Sequence, residues 1–180
     1  MKLKALILVL ALQTAWVLGT TFVQERSLAN GTLILLETRP VDPRDLLRGD
    51  FVILNYAIST VPLNAFVPSR TNAPPPGQAV YVLLERRGEF HEVVRASTGK
   101  LTPGDGQVVL QGTCRYWWDA GPGTPALIEY GLDRYFVREG TGNPSGKLTV
   151  QVAVPASGHG VIKQVLVNGK PYAEVMKDQR

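Results

Sequence analysis

Lys147–Pro155 reads KLTVQVAVP, and this stretch decides the fold class. Leu148, Val150, Val152 and Val154 share one side of an extended chain, because successive side chains of a strand point to opposite faces. The period-2 pattern outweighs any helical one. Val161–Val167 (VIKQVLV) is a second run of strand length, and Asn168-Gly169 turns the chain after it. Working upstream, Gln107–Tyr116, His91–Ala96, Ala79–Leu84, Phe51–Ile58 and Leu33–Glu37 are further apolar or alternating runs. Ala79–Leu84 and His91–Ala96 flank the charged, glycine-bearing segment Glu85–Glu89, which is a hairpin signal. Ile128–Arg138 (IEYGLDRYFVR) reads two ways: Asp133–Arg138 forms a short helix, or the whole is a bent strand.

Between the runs lie TNAPPPG (Thr71–Gly77), DAGPGTP (Asp119–Pro125) and GTGNPSG (Gly140–Gly146), too rich in glycine and proline for regular structure. They read as loops of one domain, with no internal repeat. The expected fold class is mainly β, a β-rich sandwich or barrel-like domain with one or two short helical turns, preceded by a single N-terminal transmembrane helix. The expected division is an anchor or uncleaved signal segment over residues 1–23 and a single extracytoplasmic β-rich domain over residues 24–180.

The anchor is read from Ala5–Val23 (ALILVLALQTAWVLGTTFV), which carries no charge. One helix of that length rises roughly 28 Å, about one hydrocarbon core. A cleaved signal peptide needs a shorter apolar core and small residues at the cut site. Val17-Leu18-Gly19 makes a poor site, and apolar character continues to Phe22 and Val23, so a retained anchor accounts better for the length. Lys2 and Lys4 keep the N-terminus cytoplasmic by the positive-inside rule, which places the rest outside the cytoplasm, in the periplasm or beyond. Trp16 and Phe22 suit an interfacial belt.

Composition narrows the function classes. Of the formal net charge of +4, Lys2 and Lys4 carry half, and the other basic residues are scattered apart from Arg86-Arg87. Nucleic acid is not an expected partner, because counterion release needs clustered positive charge. The single cysteine, Cys114, forms no intrachain disulfide and no thiolate cage; VVLQGTCRYW reads as a strand that buries it. His91 and His159 stand far apart, so neither a metal site nor a histidine triad is expected, and no cofactor.

The densest stretch is PVDPRDLLRGDFVILNYAI (Pro40–Ile58). Asp42 is a favoured N-cap, Pro43 fits the first helical position, and Asp45 falls three residues after the cap, a variant of the capping box. Gly49 falls where a helix wants a left-handed C-terminal residue, and Asp50 can bond local amides as the chain straightens. Val52, Leu54, Tyr56 and Ile58 then share one side of a strand. Phe51, Ile53, Asn55 and Ala57 share the other, so a central strand buried on both faces is expected.

GDFVILNY (Gly49–Tyr56) resembles the signature of the GDYXXLXY family of membrane-anchored bacterial proteins. Gly49, Asp50, Leu54 and Tyr56 match, and Phe51 replaces the usual tyrosine. PVDPRDLLR before it is also typical of that family. YGLDRYFVREGTG (Tyr130–Gly142) resembles its second segment, which takes in Tyr130, Gly131, Asp133, Tyr135, Phe136, Glu139 and Gly140, with an acidic residue usual at Asp133. The resemblance implies an anchored envelope protein, often found with multi-spanning membrane proteins, and brings no particular reaction with it. These motif residues are read as mainly structural, with no catalytic residue among them.

Two enzymatic readings compete. GDFVILN and VLVNGKPY (Val165–Tyr172) resemble strand segments of type I signal peptidases, whose chemistry needs a serine activated by a desolvated lysine. Thr38–Asp50 holds no serine, leaving Lys100, Lys147 and Lys163 no nucleophile to serve, so only a degenerate scaffold of that kind is in question. An envelope hydrolase would use carboxylates near Asp50 and Asp133, with Glu129 and Glu139 as further candidates. The favoured expectation is a non-catalytic accessory or interaction module in the cytoplasmic membrane. It contacts the bilayer through residues 5–23 and a membrane or envelope protein through exposed aromatics, for which RYWWDAG offers Trp117 and Trp118.

Overall fold

The computed structural model describes residues 2–39, 51–115, 123–137 and 146–178. The fold is mainly β, 42% strand against 26% helix, with one long apolar helix at the N-terminus and sheets that are open rather than closed. That helix, α1, runs Lys2–Asn30. It continues past the end of the apolar run at Val23, because Gln24, Glu25 and Arg26 are good helix formers even where they end the hydrophobic stretch.

Four strands build the sheet nearest α1. β1 (Thr32–Glu37) leaves the helix almost at once. The later strands β9 (Leu148–Val154), β10 (Val161–Val167) and β11 (Lys170–Pro171) complete the order β1-β9-β10-β11. The KLTVQVAVP pattern becomes β9, with Val150 and Val152 buried, and Asn168-Gly169 turns β10 into β11 as the sequence requires. Asn168 takes the left-handed region at φ 50°, which asparagine tolerates better than most residues. Helix α2 (Tyr172–Asp178) closes the described chain.

A five-stranded sheet has the order β3-β7-β6-β4-β5, formed by β3 (Thr60–Val61), β4 (Ala79–Arg87), β5 (Phe90–Ser97), β6 (Gln107–Cys114) and β7 (Ala126–Glu129). The expected hairpin is β4–β5, paired from Tyr81↔Ser97 to Arg87↔Phe90 around Gly88. Cys114 is buried, its thiol donating to Pro74 O at 3.1 Å, and burial pushes its pKa up against an opposing effect of Arg70. Val82, Leu84 and Leu110 are fully enclosed, each burial worth roughly 1.5–3 kcal/mol.

The remaining pair is β2 (Phe51–Ile53) with β8 (Arg134–Phe136), antiparallel. Here the structure corrects the sequence reading. Phe51–Ile58 is not one central strand: β2 ends at Ile53, Tyr56 forms an isolated bridge with Thr38, and Ala57–Ser59 is a 3-10 turn. Val52, Leu54, Tyr56 and Ile58 are buried as their alternation requires, whereas Phe51, Ile53 and Ala57 are half-buried and Asn55 is exposed. Only one face meets the core. Of the two readings of Ile128–Arg138, the extended one holds over the described residues, 128–137, as two strands separated by Gly131 at φ 72°.

The two large sheets approach along their edge strands, β1 and β5. The Leu35 amide of β1 donates to His91 Nδ1 of β5 at 3.3 Å. An imidazole that accepts at Nδ1 is neutral. Burial lowers the His91 pKa, with Arg86 adding to the shift against an opposing contribution from the Leu35 main chain. A folded state that binds this proton less readily than the unfolded chain keeps full stability above the unfolded value, about pH 6.5. That contribution is lost as pH falls through the lower folded value. Melting of the detergent-solubilised full chain is therefore expected to drop between pH 7.5 and pH 5, with a smaller drop for His91→Gln. Equal acid sensitivity in the two proteins would contradict this role for His91.

Candidate functional site

The described parts of the two signature segments, residues 51–56 and 130–137, are far apart in the chain and together in space. Register carries them as far as Phe51↔Phe136, Val52↔Tyr135 and Ile53↔Arg134, and one more bond follows, from Leu54 N–H to Asp133 O at 2.8 Å. There the ladder stops, because the first segment bends into its 3-10 turn and the second turns at Gly131. The carbonyls beyond the bend still lie in the core and still need donors. Tyrosine side chains supply them. Tyr56 Oη donates to Leu132 O at 2.7 Å, and Tyr130 Oη donates to Ile58 O at 2.9 Å. Each segment thus sends a phenol into the other's main chain.

Both hydroxyls are buried, and burial pushes both phenols well above their ordinary pKa, with the Asp133 carboxylate adding to the shift at Tyr56. A phenol that must donate to a carbonyl is held protonated by the same burial. The first segment is fastened on its other flank as well. Arg39 N–H donates to Asn55 O at 2.8 Å, and Thr38 Oγ1 donates to Leu148 O at 2.6 Å. Gly112 on β6 makes room for the second segment. A Cβ there would stand 2.5 Å from Ile128 Cγ2, and 2.8 Å from both Glu129 O and Tyr130 Cδ1.

Outward, the ribbon is aromatic and charged. Phe51 and Phe136 meet edge to face at 6.1 Å, and the Arg134 guanidinium lies 5.4 Å from the centroid of the Phe51 ring. Phe136 is 74% exposed. Tyr135 turns the other way, its ring edge-on to Tyr172 of α2 at 5.9 Å. The Tyr172 hydroxyl is buried with no hydrogen-bond partner among the described residues, and burial, with Tyr135 nearby, raises its pKa.

The expected motif residues divide accordingly. Phe51, Leu54, Tyr56, Tyr130, Gly131, Asp133, Tyr135 and Phe136 come together in this ribbon. Asp42, Pro43, Gly49, Asp50, Glu139 and Gly140 lie outside the described residues, as do Trp117 and Trp118. Of the carboxylates weighed for catalysis, Asp133 pairs with its neighbour Arg134 at 3.3 Å and Glu129 with Arg115 at 3.6 Å, all on the surface. No group of three metal-ligating side chains occurs among the described residues. The sequence reading missed Thr38, Gly112 and Tyr172, which lie outside both segments; only the approach of distant strands gives them their place.

A mainly β domain behind a membrane-length helix, its two tyrosine-bearing segments tied to each other, is the class that fold and site define. A family model described as GDYXXLXY protein matches residues 13–165, and the chain belongs to that family. No curated protein and no solved structure matches it.

Removing each hydroxyl in turn tests the arrangement. Tyr56→Phe and Tyr130→Phe each leave a buried carbonyl without its donor, at an expected cost of about 1–3 kcal/mol in urea unfolding. Tyr172→Phe removes a hydroxyl with no partner among the described residues and is expected to be neutral or stabilising. Equal effects at all three positions would show that the hydrogen bonds carry no weight. Gly112→Ala is expected to destabilise by about 1–3 kcal/mol through overpacking, and a wild-type midpoint for that variant would contradict the close approach.

Proposed function

We propose that this protein is a non-catalytic interaction module, held at the outer face of the bacterial cytoplasmic membrane by α1 with its N-terminus inside. The observation that carries the reading is the use to which the signature is put. Tyr56 and Tyr130 are spent as buried donors to the main chain, so the two described tyrosines of the signature build a platform. The tether is supported by α1, which is long and apolar enough to cross a membrane and has Lys2 and Lys4 at its start.

The platform presents exposed Phe136 and Arg134 on one ribbon, with the half-buried Phe51 against both. Aromatic residues and arginine are the types enriched where proteins meet. A partner in the same membrane, a multi-spanning protein in the reading favoured here, docks on this ledge. The hydrolase reading gains nothing from Asp133 and Glu129, whose carboxylates face arginines at the surface.

Photo-crosslinking in intact membranes separates the possibilities. A photoreactive residue at position 136 is expected to trap an integral membrane protein that the same residue at Glu89, in the β4–β5 turn, does not. Phe136→Ser is expected to lose the partner while unfolding within about 0.5 kcal/mol of wild type, as exposed positions do. Identical adducts from both positions, or none from 136 in folded protein, would remove the ledge as a contact.

A further inference from the structure

Helix α1 does not stand clear of the domain along its whole length, for it packs against β9 and β10. The cause is register. β9 ends with Val154 opposite Thr32, so the turn that follows it emerges beside the end of α1. That turn then runs back along the helix. Its residues His159, Gly160 and Val161 face Trp16, Gly19 and Thr20 across a groove of about 720 Å³. Trp16 lies roughly 21 Å before Asn30 along the axis.

This height matters if α1 spans a bilayer, and the inference rests on that reading. A span takes about 20 residues. Counted from Ala5, where the uncharged run begins, it reaches about Gln24, beyond Trp16 and Gly19. The β9–β10 turn therefore lies level with the outer leaflet, not above it. Trp16 is 75% exposed on the helix wall of the groove, and the facing wall is made by Ser157, His159, Gly160 and Val161. Nearer the domain, Arg26 and Lys163 stand together with Glu25 around a shallower hollow, where a lipid phosphate would find basic partners. The groove's volume falls in the range of ordinary ligand sites.

We propose that the groove between α1 and the Ser157–Val161 turn is a lipid site, holding an acyl chain of an outer-leaflet phospholipid. The turn enters the leaflet beside the helix, so the domain sits flush on the membrane instead of hanging from a stalk. Its occupant follows from position, because what lies against an apolar helix at that depth of a bilayer is lipid.

The test uses the native full chain in vesicles of phosphatidylethanolamine and phosphatidylglycerol, doped with a phospholipid carrying a diazirine on its acyl chain. After irradiation, tryptic peptides are searched for lipid adducts. The turn peptide, residues 148–163, is expected to be labelled several-fold more than residues 88–95, which hold the β4–β5 turn. That turn lies towards the other end of β1, where Lys147 bridges Glu37 and the Phe90 ring. Gly19→Trp, at a position with open space around it, fills the groove and is expected to lower labelling of the turn peptide several-fold while α1 stays labelled. Adducts on α1 with none on the turn peptide overturn the lipid site and leave the tether standing. Turn labelling unchanged in Gly19→Trp overturns the groove as its location, and no adducts on α1 either would remove the tether as well.

Discussion

Two hydroxyl groups hold the signature together. Where β2 and β8 stop pairing, the chain bends twice within the core, and each bend strands a carbonyl. Water cannot reach these oxygens, and a buried acceptor without a donor costs more than a bond made elsewhere returns. Tyr56 and Tyr130 meet the need reciprocally, each from the segment that the other's acceptor belongs to. Bending is thereby made compatible with burial, and the ribbon is fixed against both Thr38 at the end of β1 and Gly112 on β6.

That constraint explains why a motif dense in distinctive residues need not mark chemistry. Tyrosine is suited to the task because its ring fills core volume while its hydroxyl reaches a main chain several ångströms away. Phenylalanine at position 51, where the family resemblance leads one to expect tyrosine, sits on the outward side of the same ribbon. There its ring meets Phe136 and Arg134. The inward and outward tasks are thus divided by strand alternation: hydroxyls that bond go in, and rings that can be touched go out.

Much of the fold was legible in the sequence where structure is local. KLTVQVAVP, the β4–β5 hairpin and the Asn168-Gly169 turn follow from period and turn chemistry over a few residues. The break after Ile53 was not legible, because FVILNYAI alternates well enough for a full strand and the pairing ends only where both segments bend, at the Ala57–Ser59 turn and at Gly131. Helix α2 left a faint signal, Tyr172, Val175 and Met176 at helical spacing, too short to stand out beside Val161–Val167. Helix α1 runs on past the apolar run that the sequence marks, because an apolar run and a helix stop for different reasons. The site was legible as a pair of segments but not as a clasp, since its hydrogen bonds join residues 72 and 76 positions apart.

If the clasp is structural, the segments it joins should come apart only when the whole domain does. Native-state amide hydrogen exchange at Leu54, the last main-chain donor before the ladder gives way, reads this directly. The account predicts that Leu54 exchanges as slowly as Val82 and Leu110 in the core and follows their denaturant dependence. Fast exchange at Leu54 through local opening, with Val82 and Leu110 still protected, would contradict it.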